Sequence, residues 1–313
     1  LKHKKLIISS AILLTVASFS VIMVVNKYKN LLFHEDFSYS NIISFGDSLS
    51  DKGNTYKKSL ETIPNDNTWF NGRFSNNKVW VEYLCDYSKD RKCKLIDNAY
   101  GGAYSKNGYQ DIKLNDKSII KLITNLLQQV ENFVKKDKSY NPNTTLYTME
   151  IGANDIMDLG AAPSIIAQNI DTSLNLLIKK EKAKHIAFLN LPDFSKAPRY
   201  AKASVKKRES IHNRVIETNE LTKKIIEKYK SEGIDIKIID FHKLLNSLLK
   251  NKNLISDKPC LNIPLKTGKL DFLIDYRKTK NCESKLNKYI FFDNLHPSNI
   301  IHQKLAKLTR ENF

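Results

Sequence analysis

Short apolar runs alternate along the chain with longer stretches in which apolar residues recur every three or four positions. The runs Asn41–Phe45, Lys94–Asn98, Thr145–Ile151, His185–Asn190 and Ile234–Asp240 have strand length and end in polar or glycine-bearing turns. Between them, Ile119, Ile123, Leu126, Val130 and Phe133 fall on one helical stripe, as do Ile166, Ile170, Leu174 and Leu177. A third stripe holds Ile211, Val215, Thr218, Leu221, Ile225 and Tyr229. Ser298 stands where it can cap a last helix whose Ile301, Leu305 and Leu308 share a face. Strand–helix alternation of this kind predicts an α/β fold: a three-layer α/β/α sandwich around a mostly parallel, five-stranded sheet.

In such sheets functional residues gather beyond the carboxyl ends of the strands. Ser48 follows the first predicted strand, Gly101-Gly102 the second, Gly152-Ala153-Asn154-Asp155 the third and Leu191-Pro192-Asp193 the fourth. One rim therefore collects a serine, two glycine turns and an amide. Segment Asn251–Tyr289 breaks the alternation and reads as an insertion, about 252–289, on that rim. Its cysteines, Cys260 and Cys282, join Cys85 and Cys93 in a set of four without metal or redox spacing. Four cysteines allow three disulfide connectivities, of which the local pairing Cys85–Cys93 with Cys260–Cys282 is the simplest.

Composition adds compartment and surface. Of 313 residues 41% are hydrophobic and 27% charged, so the chain can bury an ordinary globular core. Lys2, Lys4 and Lys5 precede an uncharged run from Leu6 to Val25, the pattern of an export signal. That run also approaches the roughly 20 residues that span a bilayer. Residues 1–25 thus read as a signal peptide or an uncleaved signal anchor, 26–40 as a tail and 41–313 as one domain. Either way the body is expected outside the cytoplasm, secreted or periplasmic, or membrane-anchored if the leader stays. The formal net charge of +18 favours anionic surfaces, a membrane face above all. The basic residues are scattered, without an aromatic-basic or zinc-finger motif, which argues against nucleic acid as a partner. Neither a metal-ligand cluster nor a phosphate-binding loop is present: Thr267-Gly268-Lys269 lacks the upstream glycine. No cofactor or metal is expected.

The chemistry concentrates in two places. Ser44-Phe45-Gly46-Asp47-Ser48-Leu49-Ser50-Asp51 puts a hydroxyl on a turn directly after a strand. Asp293-Asn294-Leu295-His296-Pro297 sets a carboxylate three residues before a histidine. A serine hydroxyl is a poor nucleophile until a base takes its proton, and an oriented imidazole is suited to that task. Asp51 reads as a helix cap, and Asp155 as a cap of its own turn or a partner of nearby backbone. His185, His212 and His242 read as packed or surface histidines, and His302, with no aspartate nearby, as a weak rival to His296.

With these residues in view the chain resembles the GDSL or SGNH hydrolases. Gly46-Asp47-Ser48-Leu49 matches their first block and Gly101-Gly102 the second. Gly152-Ala153-Asn154-Asp155 matches the third and Asp293-Asn294-Leu295-His296-Pro297 the fifth. The likeness extends over roughly 41–310 and includes Trp69-Phe70-Asn71-Gly72-Arg73-Phe74-Ser75 and Asn190-Leu191-Pro192-Asp193, similar to secreted bacterial lysophospholipases and glycerophospholipid:cholesterol acyltransferases. It implies an SGNH, flavodoxin-like fold, with Ser48 as nucleophile, His296 as general base and Asp293 as its orienting carboxylate. It further implies an oxyanion hole from the Ser48 N–H, the Gly102 N–H and the Asn154 amide, with Gly101 competing for the second place. The expected reaction is release of fatty acid from lysophospholipid or phospholipid through a Ser48 acyl-enzyme, with acyl transfer as a second outcome. An esterase for carbohydrate or short-chain esters and a catalytically silent lipid-binding protein are the alternatives. Related lipases suggest cleavage by an activating protease in the Cys260–Cys282 loop, where Leu265, Leu270 and Phe272 mix with Lys266, Lys269, Arg277 and Lys278.

Overall fold

A computed structural model describes residues 37–313, apart from 114–118, 137–139, 262, 264–267 and 277–279. The predicted leader, residues 26–36 of the tail, and Leu265, Lys266, Arg277 and Lys278 of the insertion lie outside the described residues. The chain divides into two compact units, 1–37 with Phe313 and 38–312; the second carries the sheet and every site residue.

Five parallel strands form the sheet: β1 (Asn41–Phe45), β2 (Lys94–Asp97), β5 (Thr145–Met149), β6 (His185–Leu189) and β7 (Asp235–Ile239), in spatial order β2-β1-β5-β6-β7. A separate antiparallel hairpin joins β3 (Tyr109–Lys113) to β4 (Ile119–Thr124). The helices are α1 (Asn54–Lys58), α2 (Trp80–Tyr87), α3 (Leu126–Val134), α4 (Pro163–Glu181), α5 (Val205–Ser231), α6 (Phe241–Leu249), α7 (Lys280–Ser284) and α8 (Asn299–Arg310). Strand residues alternate between faces. Ile43 and Phe45 pack into the main core with Leu126, Val130 and Phe133 of α3, Ile166 and Ile170 of α4 and Val215 of α5. On the α2–α8 side, the Trp80 N–H donates to His302 Nδ1 at 3.3 Å and the Tyr83 hydroxyl to Asn299 Oδ1 at 2.5 Å.

Strand order reverses at β1: the chain steps first to β2 on one side, later to β5 on the other. The crevice beyond the carboxyl ends of β1 and β5 is thus a topological switch point, where such sheets hold ligands.

Three expectations need correction. Ile119 and Ile123 belong to β4, not to the stripe of α3, because the β-branched run Ile119–Thr124 pairs with β3 and Asn125 N-caps the helix. In α5 the buried stripe runs through Thr218, Thr222, Ile226 and Tyr229, passing beside Leu221 and Ile225, since a 27-residue helix at 3.6 residues per turn drifts from a fixed spacing. Ser298 is the N-cap of α8, yet its hydroxyl donates to the Tyr289 carbonyl, and Asn76 Oδ1 accepts the Asn299 N–H at 2.8 Å.

Candidate active site

The turn after β1 is gripped from both sides. Gly46 has φ of +154°, and a Cβ there would lie 2.5 Å from the carbonyl oxygen and Oε1 of Glu150. The Gln129 side chain accepts the Gly46 N–H at 3.0 Å and donates to the Gly46 carbonyl at 2.9 Å. Glu150 Oε1 accepts the Asp47 N–H at 2.8 Å. The N–H groups of Ser50 and Asp51 return to the Asp47 carbonyl, winding the chain so that Ser48 stands at the head of the turn, 8% exposed.

The Asp293–His296 turn is tied just as closely. Asp293 Oδ1 accepts the N–H groups of Leu295 and His296 at 2.8 and 2.7 Å. Its Oδ2 meets His296 Nδ1 at 2.8 Å and accepts from Trp69 Nε1 at 3.0 Å. Burial pushes this carboxyl up, but the adjacent imidazole and the backbone donors outweigh it and hold Asp293 below its ordinary range. The far ring nitrogen, His296 Nε2, lies 2.9 Å from Ser48 Oγ, although 248 residues separate them. The rings of Phe74 and Phe272 flank the imidazole at 5.2 and 5.6 Å between centroids. A carboxylate, an imidazole and a hydroxyl thus form one buried hydrogen-bonded line, the arrangement that passes a serine proton to a base.

Four amide donors are candidates for the oxyanion hole. The Gly101 N–H is spent on Asp51 Oδ2 at 2.9 Å and Thr55 Oγ1 at 2.8 Å. No acceptor among the described residues takes the Gly102 N–H or the Ser48 N–H. Gly102 has φ of +81°, a conformation that favours glycine. Asn154 Nδ2 donates to the Ala103 carbonyl at 3.1 Å and to Asp47 Oδ2 at 3.2 Å, bridging the second and first turns. Giving a hydrogen to a substrate means exchanging one of these bonds.

The site opens on an apolar pocket walled by Met157, Leu189, Leu191, Phe194, Phe241, Leu245, Phe291 and Leu295, with Ser48, Asn154 and His296 at its polar end. Other singled-out residues lie elsewhere. Asp51 receives the N–H groups of Gly53, Asn54 and Thr55 at the start of α1. Asp155 bonds its own backbone N–H, as expected of a partner of nearby backbone, and also the N–H and hydroxyl of Ser105, fifty residues away, which ties it to the second turn. His185 pairs with Asp235 at 2.8 Å and His212 with Asp193 at 2.9 Å. His302 is wholly buried, which pushes its imidazole down to about 3 and keeps it neutral against the Trp80 N–H. Disulfides join Cys85 to Cys93 and Cys260 to Cys282. Among the described residues no His, Cys, Asp or Glu cluster of metal-ligand size occurs.

Sequence reasoning missed the roles of Gln129, Glu150 and Trp69. Each left a trace. Gln129 is a polar residue between Leu126, Val130 and Phe133 on a buried stripe. Glu150 is a charge directly following the fully buried strand Thr145–Met149. Trp69 lies in the block already similar to the family, although its partner is 224 residues downstream.

The profile described as GDSL-like Lipase/Acylhydrolase matches residues 42–309. The chain is 30% identical over 282 residues to the thermolabile hemolysin of Vibrio parahaemolyticus serotype O3:K6, covering 87% of this chain and 63% of that protein. It is 32% identical over 164 residues to the phosphatidylcholine-sterol acyltransferase of Aeromonas hydrophila, covering 51% and 47%. The chain therefore spans less than two thirds of the length of these curated relatives. Among solved structures, an extracellular lipase from Streptomyces rimosus aligns with a TM-score of 0.46 at 14% identity, over 87% of this chain and 98% of that one.

Proposed function

Because the chain belongs to the GDSL-like lipase/acylhydrolase family, we propose that it cleaves carboxylic esters through a Ser48 acyl-enzyme, with phospholipid or lysophospholipid as substrate. The observation that carries this reading is the line Asp293–His296–Ser48, with contacts of 2.8 and 2.9 Å, at the polar end of an apolar pocket. His296 takes the serine proton as Oγ attacks the acyl carbon, and Asp293 holds the ring tautomer and supports the imidazolium. The Ser48 and Gly102 N–H groups and the Asn154 amide receive the charge that develops on the carbonyl oxygen. Protonated His296 then passes its proton to the leaving alcohol, and water, activated by the same base, releases the fatty acid. An alcohol entering in place of water gives acyl transfer, the activity in the name of the Aeromonas relative.

The apolar wall suits an acyl chain better than a sugar, which ranks a carbohydrate esterase second. Export is part of the proposal and is supported by two disulfides. No helix among the described residues is long and apolar enough to cross a membrane. The Cys260–Cys282 segment is read as a gate: Phe272 leans on His296, Phe74 and Trp69, so nicking by a protease is expected to loosen that cover.

The decisive measurement is fatty-acid release from lysophosphatidylcholine, together with fluorophosphonate labelling. Ser48→Ala is expected to abolish labelling and to reduce turnover by about 10⁴-fold or more. Unchanged release by that variant would remove Ser48 from the mechanism, and a wild-type chain that neither labels nor turns over any ester would favour a silent lipid-binding role.

A further inference from the structure

One carboxyl at this site has no part in the chemistry just described. Glu150 follows β5, is 3% exposed and lines the pocket beside Asp47, Ser48 and Asn154. Its Oε1 accepts the Asp47 N–H at 2.8 Å, and the two carboxyls also hydrogen-bond to each other. The Ser50 hydroxyl meets Glu150 as well and is itself held by Trp80 Nε1 at 3.1 Å. Asp47 Oδ1 accepts the Leu49 N–H at 3.1 Å, and Oδ2 accepts from Asn154 Nδ2 at 3.2 Å. A continuous path therefore runs Glu150, Asp47, Asn154, ending at an oxyanion donor.

Two ionised carboxylates in contact and out of water repel strongly, so such a pair keeps one proton over a wide pH range. The charged and titratable groups facing the pair are His296 from the catalytic turn and Asp155 from the turn after β5. No lysine or arginine forms an ion pair with either carboxyl among the described residues. Burial and the neighbouring Asp47 charge push Glu150 well above its ordinary range. Burial also lifts Asp47, which Leu49, Glu150 and His296 pull back to about 6. Both Asp47 oxygens accept N–H donors, whereas on Glu150 only Oε1 does, an arrangement that suits a carboxylate on Asp47 and the proton of the pair on Glu150.

We propose that Glu150 is a positioning residue for ester cleavage: as a neutral acid it donates a hydrogen bond to the Asp47 carboxylate, and Asp47 in turn fixes the Asn154 amide beside Ser48. The proposal rests on the reading of Ser48 as nucleophile. A neutral Glu150 also disperses the Asp47 charge. An ionised Glu150 would set a second negative charge next to the oxygen that becomes anionic, working against the amide donors.

The test compares the full chain with its Glu150→Gln, Glu150→Ala and Ser48→Ala variants in kcat and KM for nitrophenyl butyrate across pH. Glu150→Gln keeps a neutral donor, so near pH 7 it is expected to stay within about threefold of wild type and to lack the alkaline fall in kcat. Glu150→Ala is expected to lose about 100-fold in kcat with little change in KM, the scale of losing one oxyanion donor. A Gln variant with the wild-type alkaline limb, or an Ala variant as active as wild type, would overturn the proposal. Should the Ala variant fail to fold, the Gln variant decides. Carboxyl ¹³C NMR of the unliganded chain reads the proton independently of turnover. A neutral-acid shift for Glu150 near pH 7 is expected, and a carboxylate shift there would sink the idea. Persistent turnover in Ser48→Ala would defeat the esterase reading while leaving the NMR result on Glu150 standing.

Discussion

Asp293 and Asp47 are both buried carboxyls, and their surroundings drive them in opposite directions. Asp293 accepts two backbone N–H groups, the Trp69 indole and the His296 ring, and is held low. The stability it contributes is present above its unfolded pKa of about 3.9 and is lost as pH falls through the lower folded value. Asp47 is held up at about 6, so it favours folding below the unfolded value and loses that contribution as pH rises through about 6. Glu150 is raised further and behaves in the same sense. Replacing Glu150 by Gln should therefore raise the melting temperature relative to wild type more at pH 8 than at pH 5, a difference that thermal unfolding at the two pH values measures. Asp293→Asn keeps the shape but favours the wrong imidazole tautomer, and kcat should fall by about 10⁴-fold. Trp69→Phe removes one donor to a buried charge, worth about 1.5–3 kcal/mol, and a tenfold or larger fall in kcat on nitrophenyl butyrate is the expected result.

At the scale of elements, the Ser48 turn depends on the close passage of β1 and β5. Gly46 fits only because nothing stands between its backbone and that of Glu150. Gly46→Ala should destabilise the chain by about 1–3 kcal/mol through the left-handed backbone alone, with more from the clash, visible as an earlier denaturant midpoint. The five predicted strands match the observed ones to within two residues at each end, because β-branched and apolar runs bounded by turns are local signals. The β3–β4 hairpin was not legible in that way. Ile119 and Ile123 sit at a helical spacing from Leu126 and equally on a six-residue strand, and the pairing with Tyr109–Lys113 decides between them. Gln129 shows the same limit: its place on α3 is readable, but its grip on Gly46 spans 83 residues.

Across the whole molecule, exposed apolar groups are unevenly spread. The large apolar side chains exposed among the described residues are Leu60, Phe70, Leu159, Ile165, Val205, Leu273 and Ile274. Leu60 and Phe70 lie between α1 and α2, and Leu159, Ile165 and Val205 at or just before the starts of α4 and α5. These positions belong to the carboxyl rim of the parallel sheet, since each of these helices returns the chain from that rim to the next strand. Leu273 and Ile274 join them, as Asn65 bonds the carbonyls of both Phe272 and Leu273. Ser48 stands on the same rim. Leu60→Asp with Val205→Asp is expected to lower turnover on anionic phospholipid vesicles by about thirtyfold or more, as two apolar anchors of roughly 1–2 kcal/mol each are lost. Equal rates of wild type and double variant on vesicles would show that this rim does not meet the lipid surface.

By itself the sequence determined what is local: strand runs, helix stripes, a serine on a turn, an aspartate three residues before a histidine, and four blocks in a familiar order. Only the tertiary structure decided what depends on meeting at a distance. It brought Ser48 to His296, spent the Gly101 N–H on Asp51 while giving that of Gly102 no acceptor among the described residues, and pressed Glu150 against Asp47. Periodicity reports which side of an element is buried, whereas hydrogen bonds and proton sharing are set by angstrom-scale distances between segments that the order of residues does not encode.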